Sequence, residues 1–288
     1  MPDAPDHTSH PVPAEYENYD ATSRAYDNTR SPVGVEVMLG CFASTPRPLH
    51  EQTILDGGCG TGNYIAAVQD KVGTIHGIDL NGGMLVQARR KFDPDAHVHL
   101  SQGRLDRLPY RDAMFDGMIC NQVVHHLSPE AWHGSFPQLY QLMEEAYRVL
   151  RPGGVLVFNT SSHQQLRDGF WWADLIPEAV NKIAQRLPTL ERMRGMLEEA
   201  GFHFGGLIVP LDEVLQKKNY LDLHGPFGKT YRDGDSTWSL TTAEELQHAL
   251  ARLRTMHDDG SVTLYLQQRE QLRHAIGQTT CVCARKES

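Results

Sequence analysis

The sequence predicts an α/β fold: a doubly wound, mostly parallel sheet with helices on both faces. Three observations predict it. A short apolar run, Ile54-Leu55, ends in Asp56 and passes into Gly57-Gly58-Cys59-Gly60-Thr61-Gly62-Asn63, a strand, a glycine turn and a helix start. A second run, Thr74-Ile75-His76-Gly77-Ile78-Asp79, also ends in an acid. From residue 53 to 159, strand-like and helix-like patterns alternate, which calls for right-handed crossovers and a parallel sheet.

In chain order, residues 1–14 are rich in Pro, Asp and His and read as a disordered tail. Residues 15–48 read as an N-terminal helical flap. Tyr19, Tyr26 and Arg30 lead into an apolar helix-like run over 33–42, and Pro46 and Pro48 punctuate its end. Residues 49–209 form the core. Strands are expected at 53–56, 74–79, 97–102, 115–121, 155–159 and 204–209, with helices at 63–69, 83–91, 136–150 and 189–200. Residues 170–187 are aromatic and helix-like. The last strand is expected at 279–284, within a terminal piece of the core, 278–288.

Roughly seventy residues separate the final two strands, too many for a simple loop. Residues 210–277 are therefore read as a cap. The cap holds a loop, Asp233-Gly234-Asp235-Ser236-Thr237-Trp238, then a helix over 241–254 behind a capping-box start, Thr241-x-x-Glu244.

Glycine lets backbone approach a ligand closely and permits positive φ in a tight turn. The spacing also selects among cofactors. A dinucleotide fingerprint G-x-G-x-x-G would need glycine at 58, 60 and 63, and position 63 is Asn. A nicotinamide dehydrogenase is disfavoured on that ground. The pattern Asp56-x-Gly58-x-Gly60-x-Gly62 instead resembles motif I of class I S-adenosylmethionine (SAM) methyltransferases. Three further stretches resemble that family in its order: 74–79, Phe115-Asp116-Gly117-Met118-Ile119-Cys120-Asn121-Gln122, and Leu150-Arg151-Pro152-Gly153-Gly154 between a helix and a strand. The four span roughly residues 50–160, and the broad group holding ubiquinone and menaquinone methyltransferases is the nearest in pattern. The resemblance implies a Rossmann-like, seven-stranded sheet with the seventh strand antiparallel beside the fifth, and the cap inserted between the last two strands.

It also implies SAM as cofactor and methyl transfer to a small-molecule acceptor by in-line displacement. Asp56, Gly58, Cys59, Gly60 and Gly62 would form the cofactor loop. Asp79 would accept hydrogen bonds from the ribose, with Leu80 and Met84 beside the adenine. Arg104 stands where the family often has an acid that contacts adenine; either a backbone carbonyl near Arg104-Leu105 or Asp106 takes that role. Asn121 and Gln122 would lie near the amino-acid end of the cofactor, and Tyr19, Tyr26 and Arg30 would close over it.

His125 and His126 follow at once. One is a candidate general base, because histidine titrates near neutral pH, or both are packing residues. Trp171, Trp172, Tyr220 and Trp238 either cage the acceptor or build the core between cap and sheet. Cys281 and Cys283 share one face of a strand and read either as buried thiols or as part of a thiophilic site with Cys41 or Cys120. That second option makes a metalloid or thiol methyltransferase one alternative. A non-catalytic SAM-binding regulatory module is the other.

Composition sets outer bounds. The 288 residues are 40% hydrophobic and 22% charged, enough to bury a core. A net charge of −9 without a basic run disfavours a nucleic-acid partner. No stretch is apolar for the ~18 residues a membrane span needs. The five cysteines lack a disulfide-framework spacing, which favours reduced thiols in the cytoplasm and no metal site. A monomer or homodimer is expected.

Overall fold

A computed structural model describes residues 30–93, 97–127 and 134–287, without the side chains of Lys217 and Lys218. The expectations placed on residues 1–14 and on Tyr19 and Tyr26 lie outside these described residues.

In chain order the elements are α1 (Val35–Ala43), β1 (Thr53–Gly57), α2 (Asn63–Val68), β2 (Thr74–Asp79), α3 (Gly82–Arg89), β3 (Val98–Gln102), β4 (Phe115–Asn121), α4 (Pro137–Val149), β5 (Leu150–Thr160) and α5 (His163–Asp168). They continue with α6 (Pro177–Gln185), α7 (Leu190–Glu199), β6 (Phe202–Ile208), α8 (Lys229–Asp233), α9 (Ala243–Asp258), α10 (Val262–Ile276) and β7 (Thr280–Lys286). The sheet order is β3-β2-β1-β4-β5-β7-β6. β1 to β5 pair in parallel, and β7 runs antiparallel between β5 and β6. Strand order reverses between β1 and β4, so a crevice opens at their carboxyl ends.

The central strands have the buried character that covering on both faces demands: all seven residues of β4 are buried. One face carries α1. Its Met38 and Phe42 are fully buried, and a Cβ added at Gly117 of β4 would sit 2.5 Å from the Phe42 ring. The glycine is what lets the helix dock this closely. Asp116 ties β1 to its neighbours by accepting from the Thr53 N–H at 2.8 Å and pairing with Arg151 of β5.

Three expectations are corrected. The Arg151-Pro152-Gly153-Gly154 turn is part of β5; pairing with β4 slips between Phe115 and Gly117, and Gly153 takes φ of 77° to absorb the slip. The capping residue of α9 is Thr242, not Thr241; its hydroxyl accepts from the Glu245 N–H at 3.1 Å. Helix α10 has no counterpart among the expected elements, since its sequence carries only a weak apolar stripe, with Val262 and Arg273 its buried residues.

The Glu245 carboxylate serves another helix. It is buried and accepts from the Glu178 N–H at 2.7 Å and the Ala179 N–H at 3.2 Å, the free amides at the start of α6. Glu245→Ala should cost about 2–3 kcal/mol and Glu245→Gln about 1 kcal/mol, because charge-assisted bonds to a helix start are lost or neutralised. Urea melts of the two variants check the ordering.

His76 of β2 lies among His99, Tyr110 and Phe115, with ring centroids 4.8–5.6 Å away. Burial, aided by the His99 charge, pulls its imidazole down to about 4. An unfolded histidine titrates near 6.5, so between about pH 6.5 and 4 the unfolded chain binds the proton first and native stability falls. Urea midpoints should drop over that window, and less so in His76→Gln.

Candidate active site

The glycine loop is built by conformation. Gly58, Gly60 and Gly62 have φ of 76°, 52° and 78°, a region costly for L side chains. They differ in surroundings. A Cβ on Gly58 would meet the Val123 side chain at 2.7 Å, whereas a Cβ on Gly60 would meet nothing within 4 Å. Gly58 is bare for packing; Gly60 borders open space. The Asp79 carboxylate holds the loop, accepting from the Gly60 N–H at 2.8 Å and from the Asn81 N–H at 2.8 Å. Burial raises the Asp79 carboxyl above the usual carboxylate range.

The open space is a cleft that continues into solvent at its mouth. Its floor is Asp56, Gly58, Cys59, Gly60 and Thr61 from the end of β1, with Asn121 and Gln122 from the end of β4. Gln122 has φ of 51°, a strained conformation held by hydrogen bonds from its N–H and side chain to the Asn159 carbonyl. An apolar wall of Leu166, Phe170, Ile183, Leu187 and Leu215 faces His125 and His126. The loop 233–237 closes one side. Asp235 lies 3.4 Å from Arg30 and accepts from Gln216 at 2.9 Å, while the Ser236 hydroxyl is 3.2 Å from His125 Nε2.

Two floor side chains have no partner beyond each other. Both carboxylate oxygens of Asp56 and both amide atoms of Asn121 are buried, and apart from the Asp56–Asn121 approach they meet no hydrogen-bonding group. A buried carboxylate left in that state is costly unless it is protonated or meets a ligand. Burial, and then the Asp79 charge, push the Asp56 carboxyl up to about 8, with the Asn121 amide pulling the other way. Burial also drives the His125 imidazole well below its usual range, helped by the charges of His126, Arg30 and Arg186. His125 is thus neutral at neutral pH and able to accept a hydrogen bond, while burial and the neighbouring cations oppose its protonation.

The structure brings Asp56, Gly58, Cys59, Gly60, Asn121, Gln122, His125, His126 and Arg30 to one cleft. Gly62 and Asp79 stand just behind the loop. Other candidates lie elsewhere. Met84 is buried in α3, and Leu80 is 47% exposed. Leu105 packs beneath Gly57 and Gly58, and Arg104 forms a two-pronged pair with Asp106 at 2.8 and 2.6 Å. Trp171, Trp172, Tyr220 and Trp238 are at most 2% exposed and belong to the core, where Tyr220 donates to Glu270 of α10 at 2.7 Å. They do not line the cleft, because a large ring gains more from complete burial against helices than from a wet wall. Among the lining residues described, Cys59 is the one cysteine; Cys41, Cys120, Cys281 and Cys283 lie outside the cleft.

Sequence reasoning missed Ser31, Thr61, Asn63, Tyr64, Ser161 and the apolar wall as lining residues. The turn-forming run at 233–237 is visible in the sequence as a loop, but nothing local tells where it lands.

Comparisons with known proteins converge on the same unit. The family described as Methyltransferase domain matches residues 55–158. A malonyl-[acyl-carrier protein] O-methyltransferase of Enterobacter lignolyticus is 30% identical over 201 residues, 69% of this chain and 73% of that protein. A demethylmenaquinone methyltransferase of Lysinibacillus sphaericus is 24% identical over 65% of this chain and 86% of its own. The biotin biosynthesis bifunctional protein BioHC of Teredinibacter turnerae is 32% identical over 58% of this chain, but that match spans only 28% of its length. A solved structure, a methyltransferase from an antibiotic biosynthesis pathway of Anabaena variabilis, shares the fold with a TM-score of 0.68 at 20% identity, covering 90% of this chain and 99% of that one.

Fold and site define a Rossmann-like α/β protein with a cofactor cleft at the carboxyl ends of its parallel strands. The chain belongs to the class I SAM-dependent methyltransferases of small-molecule type, enzymes whose methyl donor is SAM.

Proposed function

We propose that this chain transfers the methyl group of SAM to a small-molecule acceptor that enters between the apolar wall and the two histidines. One observation carries the reading. The Asp56 and Asn121 side chains, without partners beyond each other, and the bare edge of Gly60 open into the same cleft as His125, His126 and the apolar wall. They fit a ligand with a cationic amine and a close-lying adenosyl body: Asp56 and Asn121 would hold the amine, the loop at 58–62 the backbone-facing edge, and Asp79 the ribose. SAM supplies an activated methyl on a sulfonium with a neutral leaving group. The chain's work is therefore to orient the acceptor and exclude water.

Residues 210–277 serve as a cap in this reading. Loop 233–237 bridges Arg30 and His125 over the cleft. His125 orients the acceptor by accepting a hydrogen bond from it. Several relatives bear names that specify a malonyl thioester, so an acyl chain with a free carboxylate is one acceptor class to examine. Its body would lie along Leu166, Phe170 and Leu187.

The test is calorimetry with S-adenosylhomocysteine, followed by label transfer from SAM to a panel of carboxylates, phenols, quinols, amines and thiols. A silent titration overturns the cofactor reading. With an acceptor in hand, His125→Ala should lower kcat about 10- to 100-fold while leaving S-adenosylhomocysteine affinity within about threefold. An acceptor that is already an anion should show the smaller loss.

A further inference from the structure

Three of the five cysteines gather on the face of the sheet opposite the wall of the cleft. Cys41 lies in α1, and Cys281 and Cys283 lie on one face of β7. The Sγ atoms of Cys41 and Cys283 are 3.1 Å apart. Cys281 sits toward the other end of the helix, where its Sγ would be 2.9 Å from a Cβ on Gly34. Cys41 is half-buried, Cys283 is 9% exposed and Cys281 is fully buried.

We propose that Cys41 and Cys283 are a peroxide-sensitive thiol pair whose disulfide pins α1 to the last strand. The sulfurs already touch at 3.1 Å, about 1 Å from the bonded distance of about 2.05 Å. The oxidant is a hydroperoxide. The Cys41 sulfur attacks its terminal oxygen, the O–O bond breaks, the departing oxygen takes the Cys41 proton and leaves as an alcohol (water, from hydrogen peroxide), and Cys41 becomes a sulfenic acid. The Cys283 sulfur then attacks the Cys41 sulfur; an S–S bond forms, the S–O bond breaks, and water leaves with the Cys283 proton. Two thiols are oxidised by two electrons, and hydrogen peroxide is reduced to two waters.

The surroundings assign the roles. Contact with the Cys283 thiol, with the Arg285 charge, holds Cys41 below the usual thiol range against the effect of burial. Burial and the Cys41 and Glu213 charges push Cys281 up to about 12, and burial raises Cys59 and Cys120. Cys41 is the attacking group and Cys283 the resolving one.

The bond would also restrain the rim of the cleft. The segment leading into α1 carries Arg30 and Ser31 on the rim, and Val33 is held by Tyr64 and Asn159. Fixing the helix at Cys41 fixes the element from which this rim extends.

The test treats the reduced full chain with one to five equivalents of hydrogen peroxide, then unfolds it in acidic guanidinium to block remaining thiols with N-ethylmaleimide and maps peptides by mass spectrometry without reduction. The expected product is a Cys41–Cys283 cross-linked peptide pair, restored to free thiols by dithiothreitol, with Cys59, Cys120 and Cys281 still alkylated. The oxidised protein should melt several degrees higher than the reduced one, and Cys41→Ser and Cys283→Ser should each abolish that rise. The wild-type map stands even if a variant folds poorly. Cys41 sulfinic acid without a cross-link, a Cys41–Cys281 bond, or equal oxidation of Cys59 and Cys120 would overturn the assignment.

Discussion

Asp56→Asn is expected to stabilise the ligand-free protein at pH 8 by about 5 kcal/mol and to weaken its grip on SAM about 10- to 100-fold. The two effects share a cause. The Asp56 carboxyl is buried with only the Asn121 amide beside it, and burial together with Asp79 lifts it to about 8 against that amide. In the unfolded chain an aspartate titrates near 3.9. Between about pH 4 and pH 8 the native state keeps a proton that the unfolded state releases. Stability is therefore complete below about pH 4 and is lost as pH rises through about 8. Asparagine has no proton to hold, so the variant escapes that loss. Urea melts should show the two proteins alike near pH 4 and diverging upward. In the proposed complex the cationic amine of the cofactor meets the carboxylate and draws it into the charged form. Binding to wild type near pH 7 should then release a proton, visible as a buffer-dependent heat in calorimetry, and binding to Asp56→Asn should not. A variant that binds SAM as well as wild type would show that the amine lies elsewhere.

The second large effect is on Asp79. Asp79→Ala should raise the dissociation constant for S-adenosylhomocysteine by about 100-fold or more, and Asp79→Asn by roughly 10-fold. Charge-assisted hydrogen bonds are worth about 1.5–3 kcal/mol each, and two to the proposed ribose amount to about 3 kcal/mol or more. The same carboxylate holds the Gly60 and Asn81 amides, so alanine also releases the loop. Asparagine keeps the size and one acceptor oxygen, which separates loop positioning from ligand contact. Parallel calorimetry on the two variants, with melting curves to confirm folding, reads the difference. Equal affinities for both variants and wild type would remove Asp79 from the site.

Asp56 and Asp79 are legible in the amino-acid sequence because each ends a short apolar run ahead of a turn. In a parallel sheet such ends fall on one edge. The same logic places Asn121 and Gln122. It fails for the four aromatics, since composition reports that a ring must be covered but not by what. Trp171 and Trp238 are far apart in sequence and equally suited to a cage or a core; packing against the helices of residues 173–276 decides for the core. The cap start slips by one residue because two neighbouring starts compete and a distant contact decides between them. Thr241 and Thr242 both precede an acid three positions on, and Glu245 is drawn to the amides of α6, a partner distant in sequence.

What the sequence by itself determined was the order of strands and helices through residue 160, the cofactor class and the acids that border its loop. These rest on short-range patterns: glycine where φ must be positive, an acid at a strand end, apolar runs of strand length. Only the tertiary structure decided which wall the histidines share, where loop 233–237 closes, and that Cys41 of α1 meets Cys283 on one face of the sheet. Each of these is a contact between segments remote in the chain, set by how helices pack over a common core, and no local spacing encodes it.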